Sequence, residues 1–124
     1  MGYFFCNCPP AISSGGGLTA GKYLSAGLSA GVSDSFNPGG TWPNNIGRLD
    51  LVPAGDATLN SLLAGIDGQE VIIRNTSSTF TVTVPTGGAG SAPFEGGGGG
   101  TILPPGTAGN FVYYAGSINA WVIV

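Results

Sequence analysis

The chain has 124 residues and a net charge of −3, and only 7% of its residues are charged, against about 25% in a typical soluble domain. This acidic balance argues against a nucleic-acid partner, and no run of about 18 apolar residues predicts a membrane span. Because soluble monomers usually expose many more charges, we expect much of the surface to be covered in a homo-oligomer or a larger assembly. The alternative is a neutral surface hydrated by Gly, Thr, Ser and Asn.

Residues 1–33 differ from the rest in composition and predict an extended N-terminal arm. Pro9-Pro10 cannot lie inside a helix, and the glycines at 15–17 are flexible by composition. Three near-repeats of Leu-(Thr/Ser)-Ala-Gly follow, and each glycine would cost a helix about 1 kcal/mol. We expect the arm to become ordered against another molecule, with a disordered tail as the alternative. Its apolar side chains are the interface candidates: Tyr3, Phe4, Phe5, Leu18, Leu24 and Leu28.

The two cysteines, Cys6 and Cys8, lie one residue apart. In an extended chain their side chains would stand about 7 Å apart on one face, which is too far for an easy disulfide. A zinc site would need two further ligands, and the chain has no histidine and no other cysteine. We therefore predict two free thiols and no metal. The N terminus lacks the basic segment and long apolar core of a signal peptide, so we expect synthesis in a cytoplasm.

From residue 34 the pattern is that of short strands separated by turns. Residues 36–40 read as a turn, and from Arg48 to Val52 apolar and polar side chains alternate. Residues 57–64 allow a single helical turn. Residues 69–74 form the strongest predicted strand, with Val71 and Ile73 on one face, and residues 75–78 read as a hairpin turn.

The second half continues this pattern. Phe80, Val82 and Val84 are predicted to face the core, and Pro85 ends that strand. Residues 86–100 read as a glycine-rich loop, either a contact loop or a tolerated flexible insertion. Further strands are predicted at 102–103, 111–114 and 121–124. The last is apolar on both faces, so it is a central strand or one covered by another subunit, and Trp121 and Ile123 are interface candidates.

Six to eight short strands predict an all-β fold, an antiparallel β-sandwich of the jelly-roll type over residues 34–124. Within it we find little chemistry. A hydrolytic triad needs a base, which is usually histidine. The carboxylate pairs Asp67/Glu70 and Asp50/Asp56 lie at turns, where acids are common for backbone reasons. We expect no catalytic residue and no bound cofactor.

Two further features have alternative interpretations. Arg74 pairs either with Glu70 or Asp50 across the sheet or with an acid of another subunit. The second feature is a set of aromatic residues that form either a sugar-stacking platform or part of the core: Tyr113, Tyr114 and Trp121.

Several segments, taken in order, resemble one family. They are Asp34-Ser-Phe-Asn-Pro38, Gly65-Ile-Asp-Gly-Gln-Glu-Val-Ile-Ile-Arg-Asn75, Ile102-Leu-Pro-Pro-Gly106 and the terminal Trp121 strand. Together with Arg48–Leu51 and Val112–Tyr114 they resemble the jelly-roll module of tailed-bacteriophage virion proteins, which occurs in head decoration proteins, head fibres and some tail fibres. The glycine run at 96–100 departs from that pattern.

The resemblance implies a non-enzymatic structural protein of the virion. We expect a capsid decoration protein, a homotrimer, that binds the major capsid protein between subunits and binds neither nucleic acid nor membrane. The arm would lie along the shell or along a neighbouring subunit. The alternative is a head- or tail-fibre module that binds a host-surface glycan or receptor.

Overall fold

The structure is a computed structural model and describes residues 22–124. This part of the chain contains eleven β-strands and no helix, as the sequence predicts for an all-β fold. The strands are β1 Lys22–Leu28, β2 Gly31–Ser33, β3 Ile46–Pro53, β4 Ala57–Leu59, β5 Ser61–Leu62, β6 Glu70–Asn75, β7 Val82–Pro85, β8 Ala92–Gly96, β9 Gly100–Leu103, β10 Ala108–Tyr114 and β11 Ala120–Ile123.

The strands form two sheets that enclose the core. Sheet A has seven strands in the order β1-β3-β6-β10-β11-β8-β5, and sheet B has four in the order β2-β4-β7-β9. Inward-facing side chains alternate with outward-facing ones most regularly along β6, where Val71 and Ile73 are buried and Ile72 is exposed. The largest side chains in the core are Trp121, Phe94 and Phe111.

Three successive stretches of chain stack on one another in parallel. Each has a strand in sheet A followed by a strand in sheet B: β1 and β2, then β3 and β4, then β6 and β7. Leu24 lies opposite Leu49, and Leu49 lies opposite Ile73, so equivalent positions recur at intervals of about 25 residues. A parallel bridge between Phe36 and Leu62 continues the stacking after the second strand. This part of the fold is therefore solenoid-like.

The stack is closed by strands that run the other way. β10 pairs antiparallel with β6 and β9 with β7, and β11 continues the sheet beyond β10. Five of the nine strand pairings are parallel, so the sheets are mixed. The sequence had predicted antiparallel pairing throughout, which these five pairings do not follow. Parallel pairing needs long connections, and here the connection passes through the opposite sheet.

The predicted hairpin at residues 75–78 is one source of this difference. These residues form a corner that carries the chain from sheet A to sheet B, so β6 and β7 are not paired. Asn75 determines this corner because its side-chain amide donates to the carbonyls of Phe80 (2.8 Å) and Leu103 (2.9 Å), and its Oδ1 accepts from the Ser77 N–H. The Asn75 side chain is fully buried at the end of β6.

Three other local predictions also need correction. The helical turn predicted at 57–64 is absent, because these residues form β4 and β5. The loop predicted at 86–100 contains β8, whose Phe94 is fully buried. The described part of the predicted arm, residues 22–33, forms β1 and β2 and pairs with β3 and β4, so pairing with the sheets begins before residue 34.

Candidate functional site

The carboxylates considered for catalysis are engaged in local structure. Asp50 lies at the outer side of β3, where the Arg48 Nη2 donates to its Oδ2 at 3.1 Å and the Arg48 Nε lies 3.1 Å from its Oδ1 in ionic contact. Asp56 accepts a hydrogen bond from the Thr81 N–H at 3.0 Å. Both acids are therefore engaged by contacts within the fold.

The second carboxylate pair lines an open cleft of about 320 Å³ between the turn before β3 and the turn before β6. Asp67 accepts from the Ala115 N–H at 3.0 Å, and Glu70 is exposed. The amide of Gln69 donates to the carbonyls of Pro43 and Ile46, each at 2.8 Å, and thereby links the two turns. In residues 22–124 no three Asp, Glu, His or Cys side chains lie together as a metal site would require.

The aromatic residues considered as a sugar platform do not share a surface. Trp121 is fully buried and packs, with tilted ring planes, against Tyr113 (centroids 5.2 Å apart) and Trp42 (5.6 Å). The indole N–H groups of both tryptophans donate to the Leu63 carbonyl, at 3.2 and 3.3 Å. Only Tyr114 of the three is exposed. The alternative that these aromatics pack in the core is confirmed for Tyr113 and Trp121.

The predicted interface residues are spread over several environments. Tyr3, Phe4, Phe5 and Leu18, and likewise Cys6 and Cys8, lie outside the described residues. Leu28 is buried, and Leu24 is half-buried against the core. Ile123 is also half-buried, and Trp121 is a core residue in a central strand. Arg74 is exposed on β6.

Arg74 does not pair with Glu70 or Asp50, which was one of the two alternatives for it. It lies opposite Asp50 in the β3–β6 register, but Arg48 takes that carboxylate, and this is the only ion pair within 4.0 Å among residues 22–124. The charge of Arg74 thus faces outward on sheet A.

The outer side of sheet A exposes large apolar side chains, with the charged side chains of Arg48, Glu70 and Arg74 between them. We define this outer face by its exposed large apolar side chains, which come from four neighbouring strands: Tyr23 on β1, Val52 on β3, Ile72 on β6 and Tyr114 on β10. Tyr23, Arg48, Ile72 and Asn110 lie side by side in one row across these strands. The Arg48 guanidinium stacks over the Tyr23 ring at 4.7 Å from its centroid, so the aromatic ring is held in position.

Tyr23 and Val52 were not predicted as surface residues from the sequence. The signal was the alternation along Lys22–Leu28, in which Leu24, Ala26 and Leu28 point inward. The four-residue spacing of the Leu-Ser-Ala-Gly repeats concealed this two-residue period.

The glycine run forms the tight turn between β8 and β9. All five residues from Gly96 to Gly100 have φ between +64° and +113°, a region that disfavours other residues. A Cβ on Gly100 would lie 2.5 Å from the Val84 carbonyl oxygen. The glycines are thus required by the backbone at this turn.

No protein-family model, curated protein or solved structure matches the chain. In residues 22–124 no helix has the length and apolar character needed to cross a membrane.

Proposed function

We propose that the chain is a non-enzymatic structural protein of the tailed-bacteriophage virion, a capsid decoration protein that binds between capsid subunits and stabilises the head. Its partners would be the major capsid protein and copies of itself, and its location the virion after synthesis in the host cytoplasm. The observation that carries this proposal is the outer face of sheet A, where Tyr23, Val52, Ile72 and Tyr114 are 42–62% exposed on a protein with very few charges.

The size of the outer face indicates how such binding would work. The four strands that define the outer face, about 4.8 Å apart and about 20 Å long, make a face of roughly 400 Å². A standard interface buries about 800 Å² on each partner. The outer face alone therefore falls short, and we propose that residues 1–21 supply the remaining area as an anchor. The N-terminal arm predicted at residues 1–33 is thereby shortened to residues 1–21, and the β-sheet body begins at Lys22.

The finer fold assignment also belongs to this proposal. The jelly roll implied by the resemblance is an antiparallel sandwich, whereas five parallel pairings favour a short stack of solenoid-like turns closed by antiparallel strands. We propose that the resemblance extends to the motif residues and the two-layered all-β body. The glycan-binding alternative has less support, because Tyr113 and Trp121 are buried.

The test is co-sedimentation with capsid shells of the phage whose genome carries this chain. Ile72→Lys places a charge in the middle of the outer face, and Ile102→Lys is the matched control on the outer side of sheet B, where Ile102 is similarly exposed. Losing one buried apolar side chain costs about 1.5–3 kcal/mol. We expect Ile72→Lys to weaken capsid binding by about tenfold to a hundredfold and Ile102→Lys to leave it unchanged.

A chain lacking residues 1–21 should retain its melting temperature and lose most capsid affinity. If the purified virion contains no copy of the chain, the decoration role is wrong. If both lysine variants bind as tightly as the native chain, the outer face is not the contact surface.

A further inference from the structure

Strand β1 is an edge strand in the described part of the chain, where its only hydrogen-bonded neighbour is β3. The Lys22 N–H donates to the Asn45 carbonyl at 2.8 Å, and the Leu28 carbonyl accepts from the Ala54 N–H at 2.9 Å. Backbone groups of alternate residues point to opposite sides of a strand, so the even-numbered residues of β1 face β3. The residues whose N–H and C=O groups face the open edge are Tyr23, Ser25 and Gly27.

Within residues 23–28 this edge carries neither a charge nor a proline, and the register shift in its pairing with β3 lies at the start of the strand, between Lys22 and Tyr23. Natural edge strands are protected by central charges or by proline. β1 has one charge, on Lys22 at its first position, and no proline. Its central residues are small or apolar, so the edge is suited to pairing with another strand.

We propose that two copies of the chain pair antiparallel through β1, about a two-fold axis at Ser25. In this register Ser25 faces its own equivalent, and Tyr23 of each copy faces Gly27 of the other. The open-edge groups then form about six hydrogen bonds, two for each pair of facing residues. This inference rests on the self-association in the proposed function, but it does not depend on capsid binding. It places the contact between copies at the open edge of β1, and it replaces the expected homotrimer with a two-fold symmetric dimer.

The side chains on the outer face fit the same register. Gly27 has no heavy atom within 4 Å of the position that a Cβ would occupy, so the space above it is empty. Val52 is its neighbour on β3 and is half-exposed. The Tyr23 ring of one copy, 62% exposed and stacked by Arg48, would cover Gly27 of the second copy and reach its Val52.

The inward side chains are also complementary in this register. Leu24 of one copy faces Ala26 of the other, which places a large side chain against a small one. Because the axis is two-fold, every contact occurs twice, as in an isologous interface. The two seven-stranded sheets would then join into one continuous sheet.

The experiment uses the full chain with Cys6→Ser and Cys8→Ser, into which a single new cysteine is placed. Ser25→Cys and Ser29→Cys make the same chemical change at two exposed positions four residues apart. Only position 25 meets its own equivalent at about 5.5 Å between Cα atoms, which a disulfide can span. Position 29 would be more than about 25 Å from its equivalent. After mild oxidation, we expect most Ser25→Cys chains to migrate as covalent dimers and Ser29→Cys chains to remain single.

Sedimentation equilibrium of the cysteine-free chain should give the mass of a dimer, and Tyr23→Ala should raise the dimer Kd about tenfold or more. Ser25→Pro removes an N–H that faces the open edge, so it should give a monomer with a nearly native melting temperature. A monomeric or trimeric cysteine-free chain would overturn the proposal, and so would equal cross-linking at positions 25 and 29. Because no capsid is present, these results are independent of the capsid-binding test.

Discussion

Asn75 is the residue whose replacement tests the account of the fold most directly. It is fully buried and lies where the third parallel stretch leaves sheet A. Its side chain satisfies the carbonyls of Phe80 and Leu103 and the N–H of Ser77. Asn75→Leu keeps the branched shape of the side chain, replaces its polar atoms with somewhat larger methyl groups and removes all three hydrogen bonds.

The expected loss can be estimated from where the three partners lie. The Leu103 carbonyl is buried, and leaving it unsatisfied costs about 1–3 kcal/mol. Phe80 and Ser77 are half-buried, so water can partly replace the lost bonds, at about 0.5 kcal/mol each. We therefore expect Asn75→Leu to lower the free energy of unfolding by about 2–4 kcal/mol, a large part of the total for a domain of this size.

Urea denaturation at pH 7 and pH 4 provides the measurement, with Asn75→Asp as the second variant. The introduced carboxylate would face two carbonyl oxygens, so this variant should be less stable than Asn75→Leu at pH 7. At pH 4 the protonated carboxyl can donate one hydrogen bond, so part of the loss should be recovered, because burial favours the neutral form. If Asn75→Leu is as stable as the native chain at both pH values, the side chain does not hold the corner.

Two further substitutions test contacts inside the body. Gly65→Ala would place a Cβ 2.7 Å from the Trp121 ring and should lower the free energy of unfolding by about 1–3 kcal/mol. Gly98→Ala, at a position with open space and a positive φ, should lower it by about 1 kcal/mol. Equal melting temperatures for the two variants would contradict the crowding at Gly65. Arg48→Met leaves the nearly buried Asp50 without its cation and should lower the free energy of unfolding by about 1–2 kcal/mol. Adding Asp50→Leu should recover most of that loss, as measured by thermal denaturation. A double variant less stable than Arg48→Met would show that the ion pair itself contributes net stability.

Local alternation predicted the strands in which it is regular, such as β3, β6 and β7, but not their partners. Val71 and Ile73 were predicted to share one face, and both are fully buried. Of the three residues predicted to face the core, Val82 and Val84 are fully buried and Phe80 is half-buried. Their strands pair with chain about 25 residues away, and a window of four to eight residues contains no information about such a partner. The recurrence was present in the chain as apolar residues at matching intervals.

The candidate surface was less predictable than the fold. An alternating pattern shows which residues share a face of the strand. When both faces carry apolar residues, the pattern does not show which face meets the core and which meets solvent. Trp121 and Tyr23 illustrate the difficulty, since the first is fully buried in a central strand and the second is exposed on an edge strand. Their positions depend on the strand order, which follows from long-range pairing.

The positions of the motif residues explain why the motif that carries the resemblance indicates a fold more firmly than a function. Gly65 makes room for Trp121, Gln69 links two turns, and Asn75 holds a corner, so each of these motif residues acts inside the body. Ile72 lies between them in sequence and points outward, where the fold places no demand on it. Two chains could share every internal residue of the motif and differ at each outward position. Under the proposed function, the outward residues of sheet A would select the partner, and substitutions there should change binding without changing stability.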